Sequence, residues 1–403
     1  MKIVGVIAEC NPLHNGHEKL LCHVRESLLA DYVVVLMSGS FVQRGEPAVM
    51  DKHQRCRAVL HAGADLVLAL PAVYTLAPAE IFARGAVITL NACGIIDELC
   101  FGSESGDPAV LRLLADIPDC ASFSPALEKG MKSGQSYPAA FMQAMEACAP
   151  TDIPVRKILT DAPNNLLGIE YLRSLSATDS RIIPSTLLRS PRSDRITSAS
   201  HLRELLPDKK TERSALSPFL PEASLNEIDL VLSDPAFRFV RADDLTDILK
   251  FMLLKAGPDD LAAFGDIGRD LAARIHAHRL DCDSFTSFAD LLKVKAFTHA
   301  RIRRALCQLI LEIRQQDRTA MLESRTTLLR VLGFKENARP LLTLLADRAE
   351  APLIVRGRDY HASFTPLAQT LLDLDLLADG LYESLCKTEA PRREEEEKMV
   401  VVV

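Results

Sequence analysis

Two histidines, His14 and His17, bracket an asparagine and a glycine in "ECNPLHNGH", directly after the apolar run "KIVGVIA" at 2–8. An imidazole N–H donates to a phosphate oxygen and stabilises negative charge that builds on it. Gly16 permits close backbone approach. A helix starting here adds N–H groups and a positive dipole end, which favour an anion. The chain contains neither G-x-x-x-x-G-K-[ST] nor a G-x-G-x-x-G after that run, so a P-loop and a dinucleotide fingerprint are both disfavoured. A phosphate-binding turn is therefore expected, in preference to two surface histidines in an ordinary loop.

Four further stretches carry groups suited to the same chemistry. "SGSFVQRGEPAVMDKHQR" (38–55) supplies Gln43, Arg44, Asp51, Lys52 and Arg55. Arg44 and Lys52 are candidates for phosphate or carboxylate binding, and the ordinary alternative is a polar loop with a helix cap. "FGSESGD" (101–107) places Gly102 at a strand end, where a flat ligand has room, although glycine is also a plain turn residue. "DAPNNLLGIEYLRS" (161–174) sets Asn164 and Asn165 behind Pro163, one to cap a helix and the other to face a site. "RSPRSDRITSASHLREL" (189–205) starts a helix with Thr197, Ser198 and Ser200 and carries Arg203, an arrangement suited to a triphosphate or to a simple cap.

The elements that must position these groups follow from apolar patterning. "KIVGVIA" and "YVVVLMS" (32–38) are continuous β-branched runs, the mark of strands buried on both faces. "DLVLALP" (65–71) and "IDELCFGSESGD" (96–107) are expected to supply a third and a fourth strand. Helices are expected over about 17–29, 50–64 and 79–94. The alternation predicts an α/β, Rossmann-like parallel sheet in three layers, with ligands at the carboxyl ends of its strands. A boundary is expected near "LLPDKKTERSALSPFLPEAS" (205–224). Residues 1–205 then form a nucleotide-binding domain and 206–385 a mostly α-helical one that includes "LRVLGF". The tail "PRREEEEKMVVVV" within 386–403 is expected to be disordered.

The totals set outer limits. A chain of 403 residues with 48% hydrophobic and 25% charged content is an ordinary globular protein with a sizeable core. The tract "LVLALPAVYTLAPA" is interrupted by Pro71 and Pro78 and is too short to span a bilayer. The N-terminal apolar run stops at Glu9 and does not read as a signal peptide, so a cytoplasmic location and no membrane partner are expected. Ten cysteines lack any C-x-x-C pair, which argues against a zinc site or a disulfide framework and for free thiols in a reducing compartment.

"HNGH" paired with "TSASHLR" resembles the HIGH-type nucleotidyltransferase superfamily. With "SGSFVQRGEPAVMDK", "GADLVLALP", "AEIFARGA", "FGSESGD", "PNNLLGIEYL" and "LRVLGF", the chain to about residue 385 is similar to the bacterial tRNA(Met) cytidine acetate ligase family. The resemblance implies that ATP activates acetate as acetyl-adenylate. The acetyl group then passes to N4 of the wobble cytidine of elongator tRNA(Met). It further implies His14 and His17 as catalytic residues. The implied ATP site comprises Ile7, Ala8, Glu9, Cys10, Asn11, Pro12, Leu13, His14, Asn15, Gly16, His17, Glu18, Lys19 and Leu20, with Gly102, Arg189 and Asn165 in preference to Asn164. Mg²⁺ is expected to assist, without a protein cage of its own. Leu13, Ser40 and His53 depart from the family's usual residues. An adenylyltransferase for a phosphorylated small molecule and an RNA-binding adaptor are the alternative readings.

Residues 290–345 hold eleven Lys and Arg against five Asp and Glu, a local excess of six in a chain of net charge −7. Such an excess fits contacts with RNA phosphates, with Lys293, Lys295, Arg301 and Arg304 as candidates, or else a solvated helix face.

Overall fold

The computed structural model describes residues 1–135, 137–189, 202, 206, 213–295, 297–387 and 400–403. The four expected strands form within a few residues of their sequence bounds, as β1 (Ile3–Ala8), β2 (Tyr32–Ser38), β5 (Leu66–Leu70) and β6 (Glu98–Ser103), and a further strand, β7 (Ile183–Leu188), joins them without having been expected. A short antiparallel hairpin, β3 (Phe41–Val42) and β4 (Glu46–Pro47), follows β2. Helices α1 (Asn15–Glu26) and α2 (Lys52–His61) return the chain after β1 and after the hairpin.

β5, β2, β1, β6 and β7 lie side by side in that order and all parallel. The chain runs outward from β1 through β2 to β5 and then restarts on the other side with β6 and β7. The order therefore reverses between β1 and β6, and a crevice opens at the carboxyl ends there. Alternate residues of β2 point to opposite faces. Val33, Val35 and Met37 pack with Leu20, Leu21 and Val24 of α1. Val34 and Leu36 pack on the opposite side, in the core that includes Phe82 and Leu172. Both faces are covered by helices, which is why these strands read as unbroken apolar runs.

The second half of the chain differs from expectation. "LRVLGF" is a buried strand, β8 (Leu329–Phe334), antiparallel to β5. A short, mainly apolar run of six residues fits either a strand or a buried helix, and the unpaired edge of β5 decides for the strand. β9 (Leu353–Ile354) and β10 (Val401–Val402) pair parallel with β8. The four valines at the chain end are thus partly in the sheet rather than disordered, and Cys386 lies in the helix Pro366–Cys386. The rest of this half is helical among the described residues.

The hairpin connects the two halves. Gly45 has φ +76°, and a Cβ there would lie 2.2 Å from the backbone nitrogen of Arg304. The turn can rest on the helix His299–Ile310 only because this residue has no side chain.

Candidate active site

His14 is the N-cap of α1, with extended backbone. Its Nδ1 accepts the N–H of Gly16 at 3.1 Å, and its own N–H donates to Nδ1 of His17 at 3.2 Å. This is a capping box built from two imidazoles. Because each Nδ1 accepts, each ring carries its proton on Nε2. The rings are stacked, with centroids 3.8 Å apart and an interplanar angle of 17°. Burial and the nearby Arg189 charge hold His14 down at about 4. Burial, His14 and Arg189 hold His17 well below the usual imidazole range. Two neutral, stacked rings result, each with an Nε2–H to donate.

The helix N-terminus contributes less than its sequence promised. The Asn15 N–H donates to Phe219 O at 3.1 Å, and the Gly16 N–H is spent on His14. Asn15 Nδ2 also donates to Pro218 O at 3.1 Å. The imidazoles, rather than these backbone N–H groups, are left to meet an anion.

The loop beneath is fixed from inside the sheet. Arg55 is fully buried and donates to the carbonyls of Glu9 (2.9 Å), Ser38 (3.0 Å), Met50 (3.0 Å) and Gly39. One guanidinium thereby joins the carboxyl ends of β1 and β2. The Glu9 carboxylate accepts the Gln43 N–H at 2.6 Å, and Asn11 Oδ1 accepts that of Val49 at 2.8 Å. Ile7, Cys10, Pro12, Leu13 and Leu20 are buried and shape the turn from below, while Ala8, Glu18 and Lys19 are more open. Cys10 takes a positive φ of 48°, and burial pushes its thiol up to about 12, so no thiolate nucleophile stands beside the histidines.

Across the crevice, the Arg189 side chain lies over Gly102, where a Cβ would sit 2.9 Å from Arg189 Cδ. Arg189 Nη1 donates to Asn164 Oδ1 at 3.0 Å. Asn165 is 1% exposed: its Oδ1 accepts from Ser103 Oγ and the Ser105 N–H, and its Nδ2 donates to Ile158 O. The asparagine preferred from sequence is therefore internal scaffold, and Asn164 is the one that faces the arginine. Neutral donors on one wall and a guanidinium on the other can take a polyphosphate between them. Among the described residues, no three or more His, Cys, Asp or Glu side chains converge as a metal site.

The model of the HIGH Nucleotidyl Transferase family matches residues 1–398. The chain belongs to that family. Its curated relatives include a tRNA(Met) cytidine acetate ligase of Acetivibrio thermocellus, 32% identical over 98% of this chain and 97% of the relative. One of the same name from Clostridium acetobutylicum is 32% identical over 100% of both chains. The chain is thereby also a member of the tRNA(Met) cytidine acetate ligase family. A crystal structure of Thermotoga maritima TmcAL bound with alpha-thio ATP superposes with TM-score 0.91 at 29% identity, covering 100% of this chain and 99% of that one. The α/β nucleotidyltransferase fold with a helical C-terminal region is common to both.

Against this family background, several expected site residues lie elsewhere. Lys52 is 1% exposed, and its Nζ pairs with Asp379 Oδ2 at 2.5 Å. A buried ammonium needs a counter-ion, and Asp379 supplies one to Lys52. Arg304 is likewise paired, with Asp266 at 3.0 Å. Arg301 donates to Asp266 O and lies over the Phe297 ring, half-buried. Lys293 and Lys295 are exposed. Much of the local cationic excess is offset by acids from other parts of the chain, as in Arg303–Glu46, Arg318–Asp266 and Arg330–Asp375. Arg44 is exposed at the hairpin tip. Ser198 and Arg203 lie outside the described residues. No described helix is long and apolar enough to cross a membrane.

The neutral state of His14 has a measurable signature. Its value falls from 6.5 to about 4 on folding, so the unfolded chain binds more protons between those limits. Stability is expected to decline as pH falls through that window. The His14→Gln variant is expected to show a flatter profile. Denaturant titrations at stepped pH check this, and identical slopes for the two proteins would exclude a neutral buried His14.

Proposed function

We propose that this protein is an ATP-dependent acetate ligase acting on elongator tRNA(Met). The observation that carries the reading is the match of relatives named tRNA(Met) cytidine acetate ligase over essentially the whole chain. The ATP analogue in the Thermotoga structure supports ATP as the nucleotide.

In this reading the acetate oxygen attacks the α-phosphorus of ATP, and the bond to the β-phosphate oxygen breaks. Pyrophosphate leaves with the electron pair, and acetyl-adenylate remains. His14 and His17 donate Nε2–H to phosphate oxygens as charge builds, and Arg189 neutralises the departing pyrophosphate. N4 of the wobble cytidine then attacks the acetyl carbon. The N4 proton is lost and AMP departs. Residues around β1, β6 and β7 handle the nucleotide, and the helical half receives the tRNA. Among the described residues no cluster of carboxylates forms a Mg²⁺ cage, and no step is assigned to the ion.

The deciding experiment incubates methionine tRNA with the protein, ATP and acetate, followed by nucleoside mass analysis for N4-acetylcytidine. Pyrophosphate exchange that ignores acetate but responds to a phosphorylated metabolite would establish the small-molecule adenylyltransferase instead. ATP binding with no exchange at all would establish the adaptor.

The RNA face calls for a narrow test, confined to its exposed lysines. Lys293→Glu combined with Lys295→Glu is expected to weaken tRNA binding and to lower its salt slope by about one for each RNA phosphate that is no longer neutralised. Acetate-dependent exchange should be spared, because neither lysine belongs to the crevice. Unchanged tRNA affinity would remove this face from the footprint.

A further inference from the structure

We infer that Glu104 is a positioning residue that sets Arg189 over the nucleotide crevice, acting through Asn164. The inference rests on the reading of the crevice as an ATP site.

Glu104 directly follows β6, and its carboxylate reaches the first turn of the helix Pro163–Ala177. Its Oε1 accepts Asn164 Nδ2 at 2.6 Å and the Asn164 N–H at 3.3 Å. Its Oε2 accepts the Asn165 N–H at 2.8 Å. The helix has no cap of its own, because its N-cap residue is Ala162 and Pro163 occupies the first turn. A carboxylate from the adjoining strand meets the orphan N–H groups and the dipole end instead.

This bond also orients an amide. Asn164 has one donor end and one acceptor end, and Glu104 takes the donor end. The Oδ1 end is thereby turned to Arg189 Nη1, 3.0 Å away. A flipped amide would face its NH₂ to the guanidinium and its oxygen to the carboxylate, losing both bonds. Arg189 is held by two further contacts. Its backbone N–H donates to Ser103 O at 2.8 Å, and Gly102 leaves space for its stem. Glu104 thus needs no contact with the nucleotide to affect it. The arrangement also places a cation close enough to depress both histidines.

Glu104→Gln keeps the size of the side chain but turns an amide NH₂ toward one of the N–H groups it must accept. It is expected to raise the ATP KM in pyrophosphate exchange, and the Kd of a non-hydrolysable ATP analogue, by about tenfold, the scale of one charge-assisted hydrogen bond. Asn164→Ala leaves the carboxylate cap in place and is expected to give the same loss. The decisive readout is the double-variant cycle. In an Arg189→Ala background, Glu104→Gln is expected to add no further loss in analogue binding. Glu104→Asp is expected to restore part of the affinity. Additive losses, or a Glu104→Gln variant with wild-type analogue affinity, would overturn the inference. Because analogue binding needs no acetate, failure of the acetate reading would show separately, as wild-type binding without acetate-dependent exchange.

Discussion

His17→Asn is expected to slow acetate-dependent pyrophosphate exchange by about 100- to 1,000-fold while leaving the melting temperature close to wild type. The two halves of that expectation come from the two ring nitrogens. Nδ1 is structural, since it accepts the His14 N–H at 3.2 Å and completes the cap of α1. Asparagine places an oxygen at nearly the same reach and keeps that bond. Nε2 is the edge to which the proposed phosphate role belongs, and asparagine has nothing there. His17→Gln makes the complementary change: an amide N–H reaches toward the Nε2 position, and the cap is lost. It should retain more activity than the asparagine variant and melt earlier, since the His17 half of the capping box is lost, at a cost of up to about 1 kcal/mol. A His17→Asn protein that exchanges pyrophosphate at the normal rate would remove the phosphate role assigned to His17.

The second large effect concerns stability. Asp379 stands between two buried cations, Lys52 at 2.5 Å and Arg330 at 2.7 Å, and also accepts Ser40 Oγ at 2.6 Å. Asp375 balances Arg330 from the other side at 3.0 Å and accepts the Ala72 N–H at 2.7 Å. Two carboxylates and two cations are thus enclosed together. Asp379→Ala removes a buried carboxylate that pairs with both Lys52 and Arg330, and the expected loss is about 3–5 kcal/mol of unfolding free energy. Adding Lys52→Met removes the other half of the Lys52–Asp379 pair and should recover a substantial part of that loss. The denaturant midpoint with an unchanged m-value reports both effects. A single variant within 1 kcal/mol of wild type would mean that water reaches the cluster, contrary to its burial (about 1 kcal/mol being the upper range for an exposed pair).

The legible parts of this protein are those where one physical cause dominates. β1 and β2 are readable because continuous β-branched runs have few other uses, and the turn bearing His14 and His17 follows from the strand before it. "LRVLGF" is misread as part of a helical region because so short a mainly apolar run has no clear period, and its state depends on the edge of β5. The pairing of Lys52 and Arg304 is hidden because their counter-ions, Asp379 and Asp266, are separated from them in sequence and no spacing rule joins them. For the asparagine pair, sequence places both residues at a helix start but leaves the side chains ambiguous. The answer depends on Glu104, a carboxylate one residue past a strand end, which has no signature of its own. Arg55 is visible as a cation near the site. Its use as a clasp on strand-end carbonyls requires knowing that β1 and β2 are neighbours.

The insertion of β8 beside β5 bears on how the protein is made. A ribosome that has released only the first two hundred residues has supplied every strand of the nucleotide crevice. That nascent sheet still carries an exposed strand edge along β5 and a lysine whose carboxylate has not been synthesised. An open edge of this kind is a hazard for mispairing. Closure waits for β8 and then for the helix bearing Asp379. Chains interrupted midway would therefore hold the crevice in a frail form until β8 and that helix have been made.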